Sequence, residues 1–190
     1  MNYRLTIGLV IVLAIVSVLA AVIVFNDDPG TPDRVKVRRD FLWTVDDDAI
    51  QLITIQHQGQ EETFAKDRNR KWHFGTTAGE DVDQARWGGI TLLLSGPQYK
   101  REFAGASENL VEDFGLTAPQ TIITVNFRTG SIPPVEVRLG DRTPDGVNHY
   151  AQKDEDPDVF LIDATWGDAL ARLVTEPPYQ PTPTPADDSG

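Results

Sequence analysis

The fold of this chain is decided by residues 121–139, which read TIITVNFRTGSIPPVEVRL. Residues 123, 125 and 127 are apolar and alternate with polar neighbours, and residues 135, 137 and 139 repeat the pattern. Successive side chains of a β-strand point to opposite faces, so each run predicts a strand with one buried face. Thr129-Gly130 favours a turn between them. The stretch therefore predicts consecutive strands of an antiparallel sheet.

Similar patterns extend in both directions. Upstream, they predict strands at 41–45, 50–55, 62–66, 71–74 and 99–103, and downstream at 149–151 and 159–162. Capping residues predict a helix after Asp81 or Asp83, a second after Ser107 and a third from Asp163 or Thr165. The sequence thus predicts an α+β fold: a hairpin-rich antiparallel sheet with two or three short helices.

An uncharged apolar run precedes this fold. It begins at Leu5 and ends at Phe25, and it reads LTIGLVIVLAIVSVLAAVIVF. As a helix it is about 31 Å long, which matches a hydrocarbon core of about 30 Å. Residues 1–25 are therefore predicted to form a transmembrane anchor in the lipid bilayer. Two alternatives remain open: a signal peptide cleaved after Val18-Leu19-Ala20, and a buried soluble helix.

The orientation of this anchor is predicted from its flanks. Arg4 precedes the apolar run, whereas Arg34, Lys36, Arg38 and Arg39 follow it. A literal positive-inside count places the downstream side in the cytoplasm. Long domains, however, translocate largely regardless of charge, and a four-residue leader is typical of a signal anchor. We therefore expect a cytoplasmic N-terminus and an extracytoplasmic domain.

The rest of the chain divides by composition. Residues 26–40 begin with the linker sequence NDDPGTPD, and residues 41–174 form the exported domain. Within the domain, 41–103 and 107–174 each resemble hairpin strands followed by a helix, so a duplication into two similar halves stays open. Residues 175–190 are rich in proline and are predicted to be a disordered tail.

Composition excludes several classes of function. The formal net charge is −12, and such an acidic surface repels nucleic acids. The chain has no cysteine, which rules out disulfides, thiol nucleophiles, Cys-ligated zinc and iron–sulfur clusters. We therefore expect no nucleic-acid partner.

Few residues have the spacing of a metal-binding or catalytic site. Asp154, Asp156 and Asp158 have the spacing that begins a calcium loop, but Val159 and Thr165 occupy the positions of its glycine and glutamate. These aspartates are weak calcium candidates, and an acidic hairpin tip is the alternative.

The other candidates lack a catalytic pattern. The histidines, His57, His73 and His149, have no metal-ligand spacing. No serine lies in a G-x-S-x-G elbow, and no phosphate-binding glycine loop is present. Arg68, Arg70 and Lys71 form a local basic cluster, which is either a solvated turn or a docking contact. The sequence predicts no catalytic residue and no cofactor.

A longer pattern resembles a known family. FGLTAP at 114–119 is followed by a strand, LGDRTPDG at 139–146, HYA at 149–151 and DVFLI at 158–162. This order is similar to the bacterial domain-of-unknown-function 4340 family, and the 50–66 hairpin, Trp72 and the helix near 83–94 extend the likeness over residues 41–174. The resemblance implies a membrane span and an exported domain, sometimes encoded beside ABC-transporter components. It implies no catalytic residue.

These features predict a non-enzymatic, single-span membrane protein. Its exported domain is expected to act as an accessory or scaffold subunit of a cell-envelope or transporter-type complex, with membrane proteins as partners. The alternative is an extracytoplasmic ligand- or ion-binding module. A hydrolase that uses carboxylates is a third class, and it requires two acids facing one cleft.

Overall fold

The computed structural model describes residues 40–128, 132–154 and 156–181. The predicted anchor at 1–25 and the predicted linker up to residue 39 lie outside these ranges. Within them, no helix has the length and apolar character needed to cross a bilayer.

The described strands form one antiparallel sheet. They are β1 (Asp40–Phe41), β2 (Ile50–His57), β3 (Gln60–Lys66), β4 (Trp72–Phe74), β5 (Gln98–Phe103), β6 (Thr121–Phe127), β7 (Val135–Arg142), β8 (Asn148–Lys153) and β9 (Val159–Asp163). Their order is β1-β5-β9-β8-β7-β6-β2-β3-β4, and every neighbouring pair is antiparallel.

Short helices complete the described fold. They are a 3₁₀-helix (Asp47–Ala49), α1 (Gln84–Trp87), α2 (Ile90–Ser95), α3 (Glu108–Asp113) and α4 (Ala164–Thr175). The predicted α+β class with a large antiparallel sheet is thus confirmed. The helix expected after Asp81 or Asp83 is two helices, because Gly89 adopts a left-handed conformation with φ of 86° and breaks it.

The decisive stretch lies at the centre of the sheet. Ile123 of β6 pairs with Val137 of β7 on one side and with Ile55 of β2 on the other. All three side chains are fully buried. The alternation in the sequence therefore marks the face of the sheet that forms the core.

Helix α4 covers this face of the sheet. It contacts β2, β3, β8 and β9, and Leu170 and Leu173 are buried in the core. Asp163 caps its N-terminus by accepting a hydrogen bond from the Thr165 N–H. Helix α4 thus contacts strands from both of the stretches 41–103 and 107–174.

The two stretches proposed as similar halves share one sheet. Strand β5 ends the first stretch, yet it pairs with β9 of the second. Strand β2 of the first stretch pairs with β6 of the second. Neither stretch therefore forms a separate sheet, and the duplication stays a prediction.

The last turn of α2 has a partner for each of its final carbonyl groups. The indole of Trp166 donates to the Leu93 carbonyl at 3.1 Å, and the indole of Trp43 donates to the Leu94 carbonyl at 2.8 Å. The Ser95 hydroxyl and the Val45 N–H bind the carbonyls of Leu92 and Ser95. The last carbonyls of a helix have no backbone N–H partner within that helix. The contacts from Trp43, Val45 and Trp166 therefore satisfy three of them and fix α2 against the core.

The start of the predicted tail packs on the domain. The Arg86 guanidinium donates to the carbonyls of Glu176 and Pro177, both at 2.9 Å. The Tyr179 ring stacks on Phe74 with centroids 4.5 Å apart. The ordered part of the chain thus extends beyond the predicted boundary at residue 175, because these contacts compensate the conformational entropy lost when the first tail residues become ordered. Residues 182–190 lie outside the described ranges.

Candidate functional site

A polar cleft lies beside α4 at one end of the sheet. It has a volume of about 320 Å³. We call it the α4 cleft and define it by six of its lining residues, which are His57, Thr121, Arg142, His149, Asp168 and Arg172. The polar residues Gln58, Gln120 and Thr175 also line it.

Strand register brings these residues together. The end of β2 and the start of β6 pair His57 with Thr121, and the end of β7 and the start of β8 pair Arg142 with His149. Helix α4 then contributes Asp168 and Arg172, which are four residues apart and share one helix face. Residues from five elements therefore meet in one cleft.

A close approach of α4 shapes the cleft. Gly167 faces β7 and β8, and a Cβ at this position would lie 2.9 Å from both His149 Cδ2 and Leu139 Cδ1. A glycine therefore lets the helix lie against the imidazole of His149.

Asp168 organises one half of the cleft. Its carboxylate pairs with the Arg142 guanidinium, and its Oδ1 lies 3.5 Å from His149 Nε2. The other ring nitrogen of His149, Nδ1, lies 3.4 Å from the Gly140 carbonyl oxygen. The negative charge of Asp168 is thus already engaged by the cationic side chain beside it.

The other half of the cleft holds polar groups with spare hydrogen-bonding capacity. His57 Nδ1 lies 2.8 Å from the Thr121 hydroxyl oxygen. Across the described ranges, no side-chain hydrogen bond or ion pair engages the Arg172 guanidinium. The cleft therefore carries a local excess of positive charge on a strongly acidic protein.

The sequence did not indicate that His57 and His149 share a cleft. They are far apart along the chain and belong to no local motif. Only the register of four strands places them together, and a single sequence contains no direct signal of that register.

The third histidine lies elsewhere and is buried. His73 Nδ1 is 2.9 Å from Asp81 Oδ1, and His73 Nε2 is 3.5 Å from Asp67 Oδ2. Hydrogen bonds from the Lys71 N–H, and to a lesser degree from His73 and Asn69, lower the pKa of Asp67. These contacts hold the segments around Asp67 and Asp81 against β4.

The structure separates the weak calcium candidates into different contacts. Asp154 Oδ1 accepts the Glu136 N–H at 2.8 Å, and Asp158 Oδ1 accepts the Gly105 N–H at 2.7 Å. Asp156 Oδ1 accepts the Asp158 N–H at 3.1 Å. Each carboxylate thus holds a different backbone segment, and the described ranges contain no group of three or more acidic or histidine side chains placed to hold a metal ion.

In the structure, an arginine that is distant in sequence lies near the local basic cluster. Arg68 and Arg70 line a cavity of about 810 Å³ together with Arg128 from the end of β6. Asp48 pairs with Arg70 and lies 3.4 Å from Lys66 Nζ. Asp48 therefore neutralises only part of the positive charge in this cavity, and Arg68 and Arg128 have no ion pair among the described residues.

Two pieces of the family pattern meet in space. The Asp141 N–H donates to the Phe114 carbonyl at 2.8 Å. Gly115 has a φ of 70°, and a Cβ there would lie 2.9 Å from the Asp141 carboxyl carbon. The glycines of FGLTAP and LGDRTPDG therefore allow a close backbone contact, which is a structural role for this pattern.

Comparison with known proteins agrees with that pattern. No curated protein and no solved structure matches the chain. A family model does match: its description is "Domain of unknown function (DUF4340)", and it spans residues 97–176. The matched region includes all the α4 cleft residues defined above except His57. Residues 97–176 thus confirm the resemblance of this chain to the domain-of-unknown-function 4340 family.

Proposed function

We propose that the chain is a single-span membrane protein whose α+β domain is a non-enzymatic accessory or scaffold subunit of a cell-envelope or transporter-type complex. The apolar run at residues 5–25 supports the anchor, with the N-terminus in the cytoplasm and the domain outside. The domain then meets its partners beside the membrane.

The observation that carries this proposal is an exposed apolar surface near the β1 edge of the sheet. Leu92 of α2 is 71% exposed and Phe41 of β1 is 41% exposed. A groove of about 420 Å³ adjoins them; its apolar side is lined by Leu92, Leu93, Pro97 and Trp166, and its polar side by Gln98, Asp163 and Thr165. The Phe41 ring packs over Gly96, where a Cβ would lie 3.3 Å from it. We call this surface, defined by Phe41, Leu92 and the groove, the edge patch.

The edge patch favours a protein partner. Single exposed apolar residues are ordinary, but a contiguous apolar patch beside a groove is typical of an interaction surface. Complete burial of a leucine side chain contributes about 2 kcal/mol. A partner that presents an apolar ridge would therefore gain affinity by covering Leu92 and filling the groove.

Co-purification with a matched control tests this proposal. The full chain carries Leu92→Ser in one variant and Val147→Ser in the other, since Val147 is also an exposed apolar residue at 50% and lies in the β7–β8 turn. Both proteins are cross-linked in intact membranes and purified in a mild detergent. We expect the wild type and Val147→Ser to retain the same membrane-protein partner and Leu92→Ser to lose it.

Two results would contradict the proposal. One is recovery of the protein alone from cross-linked membranes. The other is a partner that remains equally bound to both variants, which would locate the interface outside the edge patch.

A second candidate function is an extracytoplasmic ligand-binding module. It is favoured by the α4 cleft, where polar and cationic side chains from five elements converge on one cavity. Binding sites are commonly concave and contain a few convergent polar groups of this kind.

A further inference from the structure

We propose that the α4 cleft binds a small oxyanion, the phosphate or carboxylate group of a solute, through Arg172 and His57. This inference names the ligand class for the second candidate function and rests on it. The cleft and the groove of the edge patch have no lining residue in common, so either proposal can fail without the other.

The α4 cleft contains more cationic than anionic side chains. Its lining contains the guanidinium groups of Arg142 and Arg172 but only one carboxylate, that of Asp168. Asp168 is engaged by Arg142 and lies near His149. The positive charge of Arg172 therefore has no counter-ion in the cleft.

The chemistry of arginine selects the class of ligand. A guanidinium group presents planar N–H donors that match the spacing of two oxygens in a carboxylate or phosphate. Arg172 is exposed at the edge of the cleft, and none of its N–H donors has a side-chain or backbone acceptor among the described residues. An oxyanion in the cleft would satisfy these donors.

His57 supplies the second donor. When its Nδ1 accepts the hydrogen bond of the Thr121 hydroxyl, the ring hydrogen lies on Nε2, which then donates. A bound oxyanion favours this tautomer because it offers an acceptor to Nε2. Thr121 thus acts as a positioning residue that fixes the ring and its tautomer.

The same groups disfavour a cation. His57, His149 and Asp168 are metal-ligand types, but two guanidinium groups share their cavity and repel a divalent ion. No metal-ligand group of three or more was found in the described ranges, which is consistent with this reading.

A purely structural role for Arg172 makes a different prediction. Arg172 lies in the last turn of α4, where a cation is stabilised by the helix dipole by about 0.3–1 kcal/mol. The same dipole opposes an anion at this end of the helix. If Arg172 served only the dipole, its loss would lower stability equally with and without an oxyanion.

The test uses the full chain in detergent micelles, with inorganic phosphate and acetate as separate probes at constant ionic strength. The variants are Arg172→Gln and, as a matched control, Arg128→Gln, which removes an exposed arginine from the cavity at the opposite end of the sheet. Calorimetric titration gives the affinity, and the imidazole NMR signals report the place of binding. His73, which lies outside the cleft, is the internal reference.

We expect at least one probe to bind the wild type and Arg128→Gln with equal affinity and to bind Arg172→Gln about tenfold more weakly, which corresponds to about 1.4 kcal/mol. The His57 signals shift on binding and the His73 signals do not. Binding of phosphate alone assigns a phosphate ligand, and binding of acetate alone assigns a carboxylate ligand.

Three outcomes would overturn the proposal. Neither probe binds; or both arginine variants weaken binding equally; or the His57 signals stay fixed while heat is released. A folding defect in Arg172→Gln is recognised by its circular dichroism spectrum. In that event His57→Leu replaces it, and an unchanged affinity in His57→Leu would likewise refute the proposal.

Discussion

Gly140 lies against the carbonyl oxygen of Phe114 so closely that a Cβ at position 140 would be 2.1 Å from that oxygen. The next residue, Asp141, donates its N–H to the same oxygen at 2.8 Å. This contact joins the loop after α3 to the end of β7. Because the oxygen belongs to the backbone, a side chain at position 140 displaces the whole loop.

Gly140→Ala is therefore expected to lower the free energy of unfolding by about 2–3 kcal/mol, which is typical of overpacking in a rigid site. Urea denaturation followed by tryptophan fluorescence measures it. Gly88→Ala is the control, since the nearest atom to its Cβ would be 3.6 Å away, in ordinary contact. Equal losses in the two variants would show that the contact at Gly140 is not rigid.

Trp166→Phe tests the capping of α2 by an indole. The change removes the hydrogen bond to the Leu93 carbonyl and is expected to cost about 1–2 kcal/mol beyond the loss of ring volume. Trp87→Phe is a matched control: Trp87 is also buried, but its indole N–H has no partner among the described residues. Comparison of the two urea midpoints isolates the hydrogen bond, and a larger loss in Trp87→Phe would contradict its importance.

Arg86→Gln is expected to release the segment that follows α4. Its guanidinium binds two carbonyls of that segment, so its loss weakens the packing of Tyr179 on Phe74. Hydrogen exchange should accelerate about tenfold at the Asp83 N–H, which donates to the Pro178 carbonyl. Arg68→Gln, a change at an arginine for which the described ranges show no bonded partner, should leave this exchange rate unchanged.

Asp163, which caps α4, makes the free energy of unfolding depend on pH. Hydrogen bonds from the Thr165 hydroxyl, then from Lys100 and the Thr165 N–H, lower its pKa to about 2 from an ordinary value of 3.8. A lowered folded-state pKa contributes stability above the unfolded value, and this stability is lost as the pH falls through the folded value. The contribution of Asp163 is thus complete above about pH 4 and decays towards pH 2.

We therefore expect the difference in unfolding free energy between the wild type and Asp163→Asn to be constant from pH 5 to pH 7, and to shrink between pH 4 and pH 2. Urea denaturation at each pH measures this difference. Because Asp163 is 44% exposed, salt should reduce it. In a Lys100→Gln background, the difference in unfolding free energy between the proteins with and without Asp163→Asn should also be smaller. A difference that does not vary with pH would contradict the lowered pKa of Asp163.

Local patterns predicted the elements of the fold but not their long-range arrangement. The alternation at 121–139 identified β6 and β7, and Ser107 identified the start of α3, because these signals depend on neighbouring residues. The pairing of β5 with β9 depends on contacts between distant residues, for which one sequence holds no periodic signal. The helix predicted after Asp81 or Asp83 is divided at Gly88-Gly89, which separates α1 from α2.

The candidate cleft was harder to predict for the same reason. His57, His149 and Arg172 come from three elements, and none of them stands in a recognisable motif. The docked segment around Tyr179 was missed because its prolines indicate disorder, whereas the apolar partner Phe74 and the donor Arg86 lie about a hundred residues away.

The pairing of β6 with β2 sets a limit on how this protein can be divided. The family match begins at residue 97, which follows β2, β3 and β4 in the sequence. A fragment that begins at residue 97 would lack Ile55, which pairs with Ile123, and it would lack β2 and β3, two of the strands that α4 contacts. The family match and the sheet therefore have different borders in this chain, and an expression fragment has to begin no later than Asp40 to contain every described strand of the sheet.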